Sequence, residues 1–144
     1  MVMEINTMRL LPSLAALLLT LPSLQAGELA MDTAAKLVQM VSRGSSEGGK
    51  IACKDEAMAG ALRAIGAEVN SGSRIAWASS ENEVRTLSLI GKLVVARDPK
   101  FINAGAGLVI TEEGGRPRMM VNPKAIQKSG VRLSDAVLKA AVGA

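Results

Sequence analysis

Arg116 and Arg118 are the residues whose type and spacing best suit chemistry in this sequence. Side chains two residues apart on a strand project from the same face of a sheet. Two guanidinium groups placed in this way can bind a carboxylate or a phosphate through charge-assisted hydrogen bonds. Lys124 adds a third cation downstream, and we predict that the three residues contact an acidic partner. The alternative is that the arginines only keep an edge strand solvated and protect it from aggregation.

Cys53 is the single cysteine of the chain, so no internal disulfide can form. Free cysteine is among the residue types most often buried, and the simplest prediction is a small buried residue on a strand. The alternative is an intermolecular disulfide through Cys53, which would link two chains into a homodimer.

The sequence contains no histidine, which removes His-based triads, His metal sites and the commonest general base. Cys53 therefore has no imidazole to activate it, and no spacing points to a Ser–Lys pair. Gly105-Ala106-Gly107 has the composition of a phosphate loop, but it leads into a predicted strand and lacks the helix N-terminus that binds anions. Close backbone packing is the favoured interpretation. We expect a protein that is not an enzyme and that uses no metal or cofactor.

Strands and helices alternate through the first two thirds of the chain. The predicted helices run from Asp32 or Thr33 to Arg43, from Asp55 to Gly66 and from Ser80 to Gly91, and the predicted strands cover 50–53, 74–78 and 92–96. Ser80 and Glu83 have the spacing of a capping box. Such alternation predicts a parallel sheet core. Trp77 is most simply a core residue of its strand, and a ligand platform is the alternative.

The last third of the chain predicts an antiparallel hairpin, in which strands 108–111 and 116–121 flank a four-residue loop at 112–115. Two helices follow: one has Asn122 as its cap, Pro123 at its first position and its end at Gly130, and the other has Ser134 as its cap. The predicted fold is a single α/β domain in three layers. Its mixed sheet has parallel core strands and a C-terminal antiparallel hairpin, with helices on both faces.

Positive charge is concentrated in the C-terminal half of the chain. Residues 27–91 contain seven basic and eight acidic residues, whereas residues 92–144 contain nine basic and four acidic residues. This asymmetry favours an acidic partner or a membrane surface. Trp77 and Phe101 are the only aromatic residues, so the chain lacks the stacking platforms that single-stranded nucleic acids use. We expect no nucleic-acid partner.

Residues 1–26 have the pattern of a cleaved secretory signal. Arg9 supplies a basic start, residues 10–21 are mostly apolar, and a helix breaker and the small residue Ala26 end the segment. A bilayer-spanning helix needs about 20 apolar residues, and this apolar run is shorter. We predict that residues 27–144 form the exported domain. A signal retained as a membrane anchor is the alternative.

The C-terminal part of the chain contains a series of motifs in a fixed order: Leu93-Val94-Val95-Ala96-Arg97-Asp98, Phe101 to Gly107, Leu108-Val109-Ile110, Glu113-Gly114-Gly115-Arg116-Pro117-Arg118, Asn122, Gly130-Val131-Arg132-Leu133-Ser134 and Leu138-Lys139-Ala140-Ala141. In order and spacing this series resembles the YfiR-like family of small periplasmic proteins. Relative to that family, residues 66–92 are short by about one strand, and the chain has one cysteine where members often have pairs.

The resemblance implies a periplasmic regulatory protein that is not a catalyst. The best-known member of the family is a periplasmic repressor that holds an inner-membrane diguanylate cyclase inactive. By resemblance, the partner is the periplasmic domain of such a signalling protein, and the role lies in cyclic-di-GMP signalling. The alternatives are a periplasmic module that binds an anionic small molecule at the basic C-terminal half, or a structural accessory domain without a ligand.

Cleavage after Ala26 gives a mature protein that begins at or near Gly27. We expect mass spectrometry of the extracytoplasmic fraction to find this N-terminus, because the small residue at the end of the apolar run suits signal peptidase. A full-length chain recovered from the cytosol would contradict export.

Overall fold

The computed structural model describes residues 30–143. The predicted signal segment and its cleavage site lie outside the described residues. Within residues 30–143, no helix combines the length and the apolar character needed to cross a membrane.

The described chain contains five α-helices: α1 (Met31–Arg43), α2 (Glu56–Ala64), α3 (Glu81–Leu89), α4 (Pro123–Ser129) and α5 (Asp135–Ala140). A 3-10 helix covers Pro99–Ile102. The four later α-helices begin where the sequence predicts, because the cap side chains accept hydrogen bonds from first-turn amides; these caps are Asp55, Ser80, Asn122 and Ser134. The predicted cap of α1 is wrong. Its N-cap is Ala30, without a side-chain bond, and packing of its apolar face holds the helix.

The capping box of α3 forms only in part. The hydroxyl of Ser80 accepts a hydrogen bond from the amide of Glu83 at 3.2 Å, as predicted. The carboxylate of Glu83, however, accepts from the amide of Ser79 at 2.9 Å rather than from Ser80. Glu83 therefore fixes the chain one residue before the helix cap.

Seven strands are described: β1 (Lys50–Ile51), β2 (Glu68–Val69), β3 (Ile75–Trp77), β4 (Leu93–Ala96), β5 (Leu108–Glu113), β6 (Arg116–Val121) and β7 (Val142–Gly143). Strands β3 to β7 form one sheet in chain order, and β1 and β2 form a small parallel pair. A parallel bridge between Ala52 and Ala76 joins this pair to β3. The resulting order is β2-β1-β3-β4-β5-β6-β7, with β1 to β5 parallel and β6 antiparallel to β5. This arrangement confirms the predicted mixed sheet.

The hairpin between β5 and β6 is tighter than predicted. Glu112 and Glu113 are not loop residues but pair with Pro117 and Arg116 in the ladder. The turn is Gly114-Gly115, whose φ angles are +60° and +79°. Positive φ at both central residues is typical of a two-residue hairpin turn, and glycine adopts it without a steric cost.

Helices cover both faces of the sheet, as predicted. One core cluster joins α1, α2 and α5 to alternate strand residues: Val38, Met58, Leu62, Val137, Ile75, Leu93 and Val95. The other joins α3 and the 3-10 helix to the intervening residues: Val84, Phe101, Val94, Ala96 and Val109. We call these two sides the α1 face and the α3 face. All four residues of β4 are buried, because β4 lies between the two clusters.

Two glycines allow elements to approach closely. A Cβ atom on Gly107 would overlap the side chain of Leu93, which confirms that the 105–107 segment serves backbone packing. A Cβ atom on Gly44 would lie 2.6 Å from Cγ2 of Val137 and 2.9 Å from Oγ of Ser134. The amide of Ser134 also donates to the carbonyl of Gly44 at 2.6 Å. The end of α1 and the start of α5 therefore meet at Gly44.

We expect Gly44→Ala to destabilise the fold by about 1–3 kcal/mol, because the added methyl group overpacks the junction between α1 and α5. Gly60→Ala is the matched control. It lies inside α2, where a Cβ atom meets nothing within 4 Å, and it should stabilise the protein by about 0.5–1 kcal/mol. Urea unfolding measures both changes. Equal stability of Gly44→Ala and the wild type would show that the junction relaxes freely.

Candidate functional site

The basic residues of the hairpin share the α3 face. Arg116 is paired with Glu113 in the β5–β6 ladder, and Arg118 with Thr111. Arg118 forms an ion pair with Glu113, and its buried Nε has no hydrogen-bond partner within residues 30–143. Arg116 is exposed, and its side chain makes no hydrogen bond or ion pair in the described part of the chain. The predicted two-arginine fork is therefore divided: Arg116 is available to an acidic group, whereas Arg118 is already engaged within the hairpin.

The candidate residues do not converge on one site. Arg116 begins β6 beside the turn, whereas Lys124 follows the opposite end of β6, in the first turn of α4. Cys53 follows β1, which β3 and β4 separate from the hairpin. β6 is also not a simple edge strand, since β7 pairs with Met120 and Val121, although Arg116 lies beyond that register.

A cleft lies where the chain changes direction in the sheet. Helix α2 connects β1 to β2 on the α1 face, and α3 connects β3 to β4 on the α3 face. The connections therefore diverge between β1 and β3. Open α/β sheets bind ligands at such a point, outside the carboxyl ends of the strands. In this protein a cavity of about 460 Å³ begins at Cys53, Lys54 and Trp77 and extends along the sheet to Ile90 and Lys92, which precede β4. We call it the switch-point cleft.

The cleft exists because nothing fills the α3 face beside α3. Residues 70–74 connect β2 to β3 by a turn instead of a helix. Ala76 lies between Ile75 and Trp77, which face α1, so it projects toward the α3 face with its bridge partner Ala52. Both residues line the cleft together with Val69, Leu87 and Ile90. Small residues on the strands and a missing crossover helix leave the space open.

The charged groups around the cleft are mainly cationic. Lys54 and Arg63 line it, and neither has an ion pair or a side-chain hydrogen bond in residues 30–143. Lys92 donates to the carbonyls of Ser71 and Ser73 at 3.0 and 2.5 Å. Glu83 is the lining carboxylate, and it already accepts from Ser79. Three lining cations against one lining carboxylate favour an anion at the rim of the cleft, whereas carboxylates dominate the charges that act on Cys53.

The thiol of Cys53 is half-buried in the wall of the cleft and lies 3.4 Å from the carbonyl oxygen of Asp55, to which it donates. Burial is the main cause that raises the pKa of Cys53 from 9.0 to about 11; the charges of Asp55 and Glu83 act in the same direction. At neutral pH the group is therefore a thiol and not a nucleophilic thiolate. The intermolecular disulfide stays a prediction, but the raised pKa slows the oxidation it requires.

Trp77 is both a core residue and a cleft residue. Its side chain is 2% exposed and belongs to the core cluster of the α1 face, as the core interpretation predicts. It also lines the cleft, and its buried indole Nε1 has no hydrogen-bond partner among the described residues. Buried donors normally find an acceptor, so Trp77 carries an unsatisfied donor.

Sequence reasoning did not find the cleft. Its floor consists of Ala52 and Ala76. These two residues are neighbours because of the strand order, which no local sequence pattern encodes. The one signal was that residues 66–92 are short by about one strand relative to the family, and the turn that connects β2 to β3 lies in this segment. In the described residues, no group of three or more acidic or cysteine side chains could hold a metal ion.

The fold and these surfaces define a small open α/β domain, with parallel strands covered on both faces and a basic C-terminal hairpin. The chain belongs to the YfiR/HmsC-like family, whose model matches residues 69–142. The match includes β3, the cleft side of α3 and the hairpin. This confirms the family resemblance noted from the motifs after residue 93.

A solved structure supports the fold. The chain is similar to a protein described as a conserved domain protein from Vibrio cholerae O1 biovar El Tor strain N16961, with 13% sequence identity and a TM-score of 0.51. The similarity covers 81% of this chain and 60% of that chain, so this chain spans less than two thirds of its length. At this identity the likeness shows the fold alone. No curated protein sequence matches the chain.

We expect Cys53 to react slowly with iodoacetamide near neutral pH, because its pKa of about 11 leaves little thiolate. The alkylation rate of the folded protein should still rise tenfold per pH unit at pH 9–10. In urea the rate should level off above about pH 9, since an unperturbed thiol has a pKa of roughly 8.5. Mass spectrometry of timed samples gives both profiles. A folded-state rate that levels off below pH 8 would contradict the burial effect.

Proposed function

We propose that this protein is a periplasmic regulator that binds and restrains the periplasmic part of an inner-membrane signalling protein, namely a diguanylate cyclase. The family match over residues 69–142 carries the proposal, because the family resemblance implies this role. Export follows from the predicted signal in residues 1–26. The regulator would act by binding, and the level of cyclic-di-GMP would be its readout.

A role without catalysis agrees with the residue types. The chain has no histidine, and the raised pKa of Cys53 removes the thiolate that a nucleophile needs. The switch-point cleft contains one carboxylate, on Glu83, which is occupied as a helix-terminal acceptor. A paired acid and base, as acid–base catalysis requires, is therefore not built from the cleft residues.

The β5–β6 hairpin is the surface best suited to an acidic partner. Its turn lies at the end of two six-residue strands, and Arg116 beside it is exposed and unpaired. An incoming carboxylate would bind Arg116 directly but would have to compete with Glu113 for Arg118. Arg116 should therefore contribute more to binding than Arg118. Lys124, at the other end of β6, would reach a different part of the same partner.

The test reverses the hairpin charges with Arg116→Glu/Arg118→Glu in a strain where the variant is the sole copy. Lost charge-assisted hydrogen bonds, each worth roughly 1.5–3 kcal/mol, should release the cyclase and raise cellular cyclic-di-GMP. Arg116→Glu alone should reproduce most of the rise, and it leaves the ion pair between Arg118 and Glu113 in place. Circular dichroism checks that both variants are folded.

Lys36→Glu/Lys139→Glu is the matched control, since it makes the same charge change on exposed residues of α1 and α5, on the opposite face. It should leave cyclic-di-GMP at the wild-type level. A folded hairpin variant that still represses would remove the hairpin from the mechanism. If deletion of the gene also left the level unchanged, the regulatory role itself would fail.

A further inference from the structure

We infer that the switch-point cleft binds a small amphipathic carboxylate, with an aliphatic chain against its walls and a carboxylate at its cationic rim. A medium-chain fatty acid is the simplest member of this class. Ligand binding at the cleft does not depend on the regulatory role of the hairpin, because the two surfaces lie toward opposite edges of the sheet.

The size and place of the cleft suit a small ligand. Its volume of about 460 Å³ falls within the roughly 300–1,000 Å³ typical of small-molecule sites. It lies between β1 and β3, at the topological switch point where open α/β sheets bind their ligands. A void of this size at that position distinguishes the cleft from a packing defect.

The walls of the cleft are aliphatic. Leu87 of α3 and Ile90, the C-cap residue of that helix, line it on one side, and Ala52 and Ala76 form its floor. Ile90 is 65% exposed, and its neighbour Leu89 is 80% exposed. Ile90 lines the cavity and Leu89 is next to it in the chain, and exposed apolar side chains of this size mark a surface that gains from being covered. An aliphatic chain would remove this area from water without needing hydrogen bonds.

The charged side chains that line the cleft indicate the sign of the charge on the ligand's head group. Lys54 and Arg63 line the cleft and have no acidic partner in the described part of the chain, and Lys92 adds a third positive charge. The single lining carboxylate, on Glu83, is held by the amide of Ser79. A carboxylate head group would therefore meet unpaired cations, whereas a cationic head group would meet like charges. Arg63 suits a carboxylate through its planar donor geometry.

Trp77 provides an optical readout beside the cleft, although its indole is packed in the core cluster of the α1 face. It is the only tryptophan in a chain without tyrosine, and it lines the cleft. The intrinsic fluorescence of the protein therefore reports on this site. We expect decanoate, titrated below its micellar concentration, to change the Trp77 emission saturably. Decanol should bind more weakly, and decyltrimethylammonium should bind at least about tenfold more weakly, because its head group has the wrong charge. Isothermal titration calorimetry gives the same affinities without relying on fluorescence.

Two variants locate the binding site. Ala52→Leu places a larger side chain on the half-exposed floor of the cleft, and it should abolish decanoate binding. Lys54→Glu/Arg63→Glu changes only exposed side chains and should weaken decanoate binding by roughly tenfold or more, since it removes the charge-assisted contacts. Lys36→Glu/Lys139→Glu makes the same change in net charge away from the cleft and should leave the affinity unchanged.

Several results would overturn the inference. These are the absence of saturable binding by both fluorescence and calorimetry, equal affinity for decanoate and decyltrimethylammonium, or unchanged affinity in a folded Lys54→Glu/Arg63→Glu variant. Loss of binding in Ala52→Leu counts in favour only when circular dichroism shows that the variant is folded, and the charge variant decides the question if it is not. None of these results changes the expectation for the hairpin variants. The ligand-binding inference and the regulatory proposal can therefore fail independently.

Discussion

Burial of the parallel strands on both of their faces is the constraint on which the rest of the structure depends. β4 is buried along its whole length, so one helical layer has to cover its α1 face and another its α3 face. The chain meets this requirement almost entirely with aliphatic side chains, since Trp77 and Phe101 are its only aromatic residues. Aliphatic cores need close approach between elements to reach normal packing density. The tight contacts at Gly44 and Gly107 are consequences of that need.

The same constraint explains why the switch-point cleft exists. On the α1 face, α1 and α2 cover the sheet from β1 to β3. On the α3 face, α3 packs over β4, and the turn at residues 70–74 takes the place of another helix. The side chains of Ala52 and Ala76, which form the floor of the cleft, are too small to fill the space. An incomplete third layer, rather than any particular chemical group, creates the cavity, and the nearby lysine and arginine side chains give it its charge.

The two candidate surfaces share the α3 face but differ in character. At the hairpin, a cation is exposed beside a tight glycine turn, and one of the two arginines is neutralised by Glu113 within the hairpin. At the cleft, apolar walls are combined with cations that have no acidic partner. β4 separates the two, and all four of its residues are buried. A partner protein at one edge of the sheet and a small molecule at the other would therefore occupy separate sites on one frame.

Local interactions in the sequence determined much of this protein. Side-chain caps at Asp55, Ser80, Asn122 and Ser134 begin helices because each bonds to amides two or three residues away, and such bonds need no tertiary partner. The alternation of strands and helices likewise predicted the mixed sheet, since each element's apolar face has to be buried against another. The motif series after residue 93 carried the family resemblance, and these motifs are local too.

Only the tertiary structure decided the rest. β2 and β7 are two residues long, too short for any periodicity, and pairing with neighbouring strands creates them. Arg118 and Thr111 meet because the two-residue turn sets the register, and the predicted four-residue loop would have paired different residues. The cleft depends on β1 lying beside β3, which brings Ala52 next to Ala76. Strand order and register are contacts between distant parts of the chain, and the free energy that selects them comes from burying all the layers together, which no single segment specifies.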